Sequence, residues 1–404
     1  MGAVDGAAPG AGAAAGDHGR VRPATPLGEV ALLFVKLGVI GFGGPAAHIA
    51  LMREEVVTRR KWVSDERFLD LLGMTNLIPG PNSTEMAIHL GYVRAGWPGL
   101  LAGGACFILP AMAIVWALAW AYVRYGGEPQ VGWLLYGVKP VIIAVVVQAI
   151  WGLGRTAVKG TLLAAVALAA LVLSLAGVNE ILLLLAGGLV VPLARSVRGA
   201  WVAVAAAPVA TVLGGAVPVV AQGMATGAPL GLTTLFVTFL KIGSVLYGSG
   251  YVLLAFLRND FVDRLHWLTD RQLLDAVAIG QFTPGPVLTT ATFVGYLVGG
   301  GAGAVLATVG IFLPSFVFVA ASRPLLLKIR GSRWTAAFLD GVNVAALGLM
   351  AAVVWELAQA AVTDGLTALL ALVAAVLFIG SKVNSVWLIL GGGGIGLAAR
   401  YLVG

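Results

Sequence analysis

The chain has 404 residues, of which 59% are hydrophobic and only 11% charged, and its mean hydropathy of +0.97 excludes an ordinary water-soluble domain. The formal charge of +7 does not mark a nucleic-acid surface, because the basic residues sit in short loops between apolar stretches and no basic run is interleaved with aromatics. A lone cysteine, Cys106, excludes an intrachain disulfide and a thiolate metal cluster.

Residues 1–26 are Ala/Gly-rich and carry Asp5, Asp17, Arg20 and Arg22, so they read as a disordered tail and not as a signal peptide, which needs a basic start followed directly by an apolar core. Apolar stretches at 100–122, 131–151, 181–193 and 344–355, with their flanks, reach the roughly 20 residues needed to cross about 30 Å of hydrocarbon. The predicted fold class is therefore an all-α polytopic membrane protein.

The first motif runs from Lys36 through Gly41, Gly43, Gly44 and Pro45 to His48. Its glycines and proline predict a helix break, and backbone freed at membrane depth must be satisfied by protein, water or ligand. Close helix packing through small residues is the alternative.

The second motif contains Asn76, Pro79, Gly80, Pro81, Asn82, Ser83, Thr84 and Glu85. Two prolines two residues apart remove two donors, and Pro81 is placed to open a new helix inside the membrane. The N–H groups and dipole of that helix, with Asn82, Ser83 and Thr84, form a surface suited to an anion. Asn82 and Glu85 also have capping-box spacing, a purely local alternative.

Sliding the sequence by 205 residues superposes Lys36 on Lys241, Gly43 on Gly248, Arg53 on Arg258, Trp62 on Trp267, Asp70 on Asp275 and Pro79-Gly80-Pro81 on Pro284-Gly285-Pro286. At an offset of 204, Leu109-Pro110 meets Leu313-Pro314 and Gly137-Val138 meets Gly341-Val342. Ordered matches of Lys, Trp, Asp, Gly and Pro are not what apolar composition yields by chance. The chain divides into a first repeat at 27–199, a linker at 200–229 with an extra membrane helix at 201–222, and a second repeat at 230–404.

Loop charge separates the halves. Arg53, Arg59, Arg60, Lys61 and Arg67 follow the first helical region, whereas the second half concentrates Arg323, Lys328, Arg330 and Arg333 at the equivalent of the quiet loop 126–130. The positive-inside rule then inverts one repeat relative to the other, with residues 27–58 and 68–94 as re-entrant hairpins, four spans, a crossing linker and a cytoplasmic N-terminus; full crossing by those two segments is the alternative, which changes the topology but not the duplication.

Candidate anion-site residues are Lys36, Gly43, Gly44, Pro45, Asn82, Ser83, Thr84 and Glu85 in the first repeat, and Lys241, Tyr247, Gly248, Ser249, Thr283, Gly285, Thr289 and Thr290 in the second. Lys36 and Lys241 are the natural cations for an oxyanion, with snorkelling to the interface as the alternative. His48 and His89 read as polar packing, and Asp340 and Glu356 as interfacial residues or proton relays. Neither a metal site nor a cofactor is expected.

At these motifs the chain resembles the chromate ion transporter family in its long, two-domain form. The resemblance rests on Phe34-Val-Lys36-Leu-Gly38, Gly41-Phe-Gly-Gly-Pro45 and His48, on Pro79-Gly-Pro-Asn-Ser-Thr-Glu85, on Phe107-Ile-Leu-Pro110, and on Gly280-Gln-Phe-Thr-Pro-Gly-Pro286. It implies export of chromate across the cytoplasmic (inner) membrane, resistance to chromate, and sulfate as the chemically similar competitor. The second half departs from the pattern with Gly248-Ser249-Gly250 in place of Gly43-Gly44-Pro45, so the halves are expected to contribute unequally. Expected partners are chromate or sulfate, the lipid bilayer and, as a candidate homodimer, a second copy. The rival functions are a carrier for another oxyanion, an anion channel and, least favoured, a membrane-embedded enzyme.

Overall fold

A computed structural model describes residues 25–196, 231–247, 250–329, 332–380 and 385–403. The expected linker helix at 201–222, the N-terminal tail, Gly248 and Ser249 lie outside these residues. Among the described residues every regular element is helical.

The first repeat forms α1 (Pro26–Ile40), α2 (Gly44–Arg53), α3 (Asp65–Thr75), α4 (Asn82–Tyr125), α5 (Pro129–Ala157), α6 (Thr161–Leu175) and α7 (Glu180–Ser196). The second forms α8 (Leu232–Val245), α9 (Leu253–Leu257), α10 (Asp270–Phe282), α11 (Thr290–Ile329), α12 (Arg333–Ala361), α13 (Gly365–Gly380) and α14 (Ser385–Val403). Each element thus returns seven helices later.

The repetition extends to backbone detail. The helix after each first break ends in a wide π-type turn, at Glu54–Arg59 and Arg258–Arg264. The long helices α4 and α11 are both kinked at the same place, with Gly96 at φ 64° and Gly300 at φ 60°. Lys61 and its counterpart His266 share a positive φ, 51° and 55°.

Each kink divides a long helix into a short first arm and an arm of spanning length. Among the described residues, four helical segments are long and apolar enough to cross a membrane: Asn82–Tyr125, Pro129–Ala157, Val287–Ser322 and Arg333–Ala361. The chain is a multi-pass membrane protein. The basic cluster expected as a loop at 323–333 is partly helical, since α11 continues to Ile329 and carries Arg323 and Lys328 in its last turns.

The equivalent helices α4 and α11 run antiparallel. A Cβ on Gly104 would meet the Phe316 ring, one on Gly301 would meet Trp116 at 2.9 Å, and the rings of Tyr122 and Phe293 lie 5.2 Å apart. Positions advancing along α4 therefore meet positions receding along α11, the relation that an inverted repeat requires.

The repeats also interlock. Helix α5 packs against α13 and α14 of the second repeat, while α12 packs against α6 and α7 of the first. Glycine permits these crossings. A Cβ on Gly137 would strike the carbonyl of Gly392, and one on Gly341 would strike that of Gly187, so two backbones pass each other with no side chain between them.

Candidate functional site

Both predicted breaks form. α1 stops at Ile40, and Gly43 at φ 100° turns the chain into α2. His48 bridges this break, its Nε2 3.0 Å from the carbonyl oxygen of Gly41 and its ring edge-on to Phe107. That is the polar packing expected of it.

The second break ends at Pro81, which caps α4 and leaves Asn82 as the first helical residue, one position later than the sequence suggests. Neither α2 nor α4 has a side-chain cap at its N-terminus. The local capping alternative fails: Asn82 donates from Nδ2 to Asn76 Oδ1 at 2.7 Å, and both oxygens of Glu85 are buried with no hydrogen-bond partner.

The breaks of the two repeats are tied to each other. Gly80 N–H donates to the carbonyl of Leu246 at 2.7 Å, and Gly285 N–H donates to the carbonyl of Gly41, also at 2.7 Å. Since Gly80 corresponds to Gly285 and Gly41 to Leu246, the two bonds are one contact made twice. Each Pro-Gly-Pro turn therefore docks on the other repeat's broken helix.

Around this core lies a cavity of about 770 Å³. The cavity is lined by the start of α2 (Gly43, Pro45), the start of α4 (Asn82, with Asn76 before it), Gln148 and Thr156 of α5 with Lys159 just after it, and Asn343 of α12. Two uncapped helix N-termini thus open on one space rimmed by amides, a hydroxyl, the Lys159 ammonium and the Asp340 carboxylate, whose charge is paired with Arg195. Each terminus carries roughly half a positive charge, so the lining attracts an anion through dipoles as well as through lysine.

The other candidate residues lie elsewhere. Ser83, Thr84 and Glu85 are buried behind the α4 terminus, and Tyr247 is half-buried beyond the turn. In the second repeat Thr283, Thr289 and Thr290 are buried, and each hydroxyl donates to a backbone carbonyl, of Gly280, Pro286 and Val287 respectively. Gly44 abuts the cavity without lining it, and the amide of Gly285 is committed to Gly41.

Both predicted lysines have carboxylate partners. Lys36 donates to Glu55 and Lys241 to Asp260, each at 2.7 Å and each at a spacing of 19 residues. These ammonium groups are neutralised in place, and neither lines the cavity. The self-alignment that matched the lysines also puts Glu55 on Asp260, which is the signal for this pairing. Glu356 and Asp340 are likewise paired, with Arg258 and Arg195. No group of three metal-ligating side chains occurs among the described residues.

Sequence reasoning missed Lys159, just past the end of α5, and Gln148 and Asn343, inside α5 and α12, all far from either motif. It also missed a buried cluster in which Lys139 of α5 pairs with Asp275 of α10 at 2.9 Å while the Tyr122 hydroxyl donates to the same carboxylate at 2.8 Å.

Inverted repeats meeting at paired helix breaks, with a polar cavity beside them, are a recurring construction of membrane transporters. A family model described as chromate transporter matches residues 28–192 and again 233–397. The chain belongs to the chromate transporter family, and the double match falls on the two structural repeats. It is 34% identical over 391 residues to a chromate transport protein of Cupriavidus metallidurans, covering 94% of this chain and 95% of that one. It is 35% identical over 342 residues to a chromate transport protein of Pseudomonas aeruginosa, covering 81% and 80%. A probable chromate transport protein of Synechococcus elongatus is 33% identical over 362 residues, covering 88% and 90%. No solved structure matches the chain.

Proposed function

We propose that the chain exports chromate from the cytoplasm by alternating access and so confers chromate resistance, working in the inner membrane with its N-terminus on the cytoplasmic side. The observation that carries this reading is the cavity in which the N-termini of α2 and α4 meet Lys159, in a chain that resembles chromate transport proteins over nearly its whole length. Chromate is a tetrahedral divalent anion, and diffuse N–H dipoles with amide side chains can surround it without stripping it to a rigid ligand set.

A cell interior negative by 100 mV favours exit of a divalent anion by about 4.6 kcal/mol, twice the cost per unit charge. Potential alone therefore supplies enough driving force for accumulation ratios above a thousand. Lys36 and Lys241, already paired, serve to hold the broken helices, while Lys159 supplies the free charge at the cavity wall.

Radiolabelled chromate and sulfate flux into proteoliposomes at set potential tests this, with wild type beside Asn82→Ala and Lys159→Met. The expected result is chromate flux that responds to potential and falls several-fold in each variant. Equal flux in all three proteins would remove the site, and sulfate movement without chromate movement would change the substrate. Single-channel currents in a planar bilayer would replace a carrier by a channel.

A further inference from the structure

Internal symmetry gives the cavity residues counterparts in the other repeat, and several of these counterparts are buried. Asn82 lines the cavity, whereas Val287 is buried; Gln148 is exposed, whereas Ala352 is buried. Leu72 and Ile49 are partly exposed, whereas Val277 and Leu254 are buried. The chain is therefore open beside the first repeat's breaks and shut beside the second's.

The position equivalent to Asn343 is Lys139. In the shut half it is buried in an ion pair with Asp275, the side chains 9% and 1% exposed, and the Tyr122 hydroxyl donates to the other carboxylate oxygen from α4. The pair joins α5 of the first repeat to α10 of the second, and Tyr122 adds α4, so it spans the boundary between repeats. In the open half the matching types are Asn343 and Asp70, and asparagine brings no charge to the lysine's place.

We propose that the Lys139–Asp275 ion pair, with Tyr122, is the closed gate on the second repeat's side, and that it separates when the protein reverses its access. This rests on the alternating-access reading. An ion pair suits a reversible gate because both charges regain water when they part, which repays much of the lost attraction, whereas an apolar plug would have to expose its surface. The reciprocal bonds Gly80 to Leu246 and Gly285 to Gly41 form a symmetric pivot about which the two halves can exchange conformations. Because the opposite gate has asparagine for lysine, the resting equilibrium is biased toward the state with the cavity open.

The test uses the full chain in oriented vesicles, with Cys106→Ser as background and a membrane-impermeant maleimide applied to each face. Asn82→Cys should label from one face and Val287→Cys poorly from either. Lys139→Asn, which copies the first repeat's own composition, should raise Val287→Cys labelling by about tenfold or more from the opposite face and lower that of Asn82→Cys. The double exchange Lys139→Asp with Asp275→Lys should restore the original pattern, and Tyr122→Phe should shift it in the same direction as Lys139→Asn by less.

Val287→Cys labelling as readily as Asn82→Cys in the unaltered background would overturn the gate, as would a pattern that neither Lys139→Asn nor Tyr122→Phe changes. Labelling needs no substrate, so a protein that fails to move chromate but shows the shift loses only its substrate assignment. Chromate flux with an unmoved pattern would sink the gate alone.

Discussion

Replacing Asp260 by asparagine should destabilise the protein more than replacing its counterpart Glu55 by glutamine, although both carboxylates hold the equivalent lysine. Asp260 is 1% exposed and is held by Lys241 at 2.7 Å and by Arg264 at 2.9 Å, with the two cations 30% and 26% exposed. Glu55 is 9% exposed and shares Lys36, Arg60 and Arg59, which are 45%, 31% and 61% exposed.

Removing one member of a fully buried pair costs about 3–5 kcal/mol, but partial exposure of the cations screens that figure, and the amide still accepts one hydrogen bond. About 2–3 kcal/mol is therefore expected for Asp260→Asn and about 1 kcal/mol for Glu55→Gln. In detergent-solubilised protein followed by intrinsic tryptophan fluorescence, these correspond to falls in apparent Tm of about 3–5 °C and about 1–2 °C. Equal shifts, or a larger one for Glu55→Gln, would refute the claim that burial of the partners sets the strength of these pairs.

Glycine substitutions separate backbone strain from crowding. Gly80 has φ 141° and a Cβ there would strike Glu85 Oε1 and lie 2.8 Å from Ser315 Oγ, so Gly80→Ala should abolish flux and lower Tm, whereas Gly96→Ala, at φ 64° with open space, should cost only about 1 kcal/mol. A harmless Gly80→Ala in the flux assay would show that the turn is not held as described. Gly137→Leu should force α5 and α14 apart and lower the yield of folded protein in size-exclusion chromatography, while Gly132→Leu on the same helix, where a Cβ meets nothing, should leave the elution profile unchanged.

How much of this was legible in the chain differs from residue to residue. The breaks at Gly43 and Pro81 were readable because proline and glycine act through their own backbone geometry, independent of neighbours. The antiparallel course of α4 and α11 agrees with what loop charge implied. The anion site was only partly readable: Gly43, Pro45 and Asn82 reach the cavity, but Thr283, Thr289 and Thr290 have their hydroxyls satisfied by local carbonyls, an outcome fixed by rotamer and packing.

By itself the sequence determined the membrane solvent, the duplication, the placement of the helix breaks and the anion-friendly chemistry of their ends, because hydropathy, repetition and backbone restriction are local or periodic properties. Tertiary structure alone decided which of two equivalent faces is open, which charges cancel and which stays free. Lys36 and Lys159 look alike as isolated residues. One meets Glu55 and the other a cavity wall, and that difference arises only when 19-residue spacings close and helices of one repeat pack between those of the other.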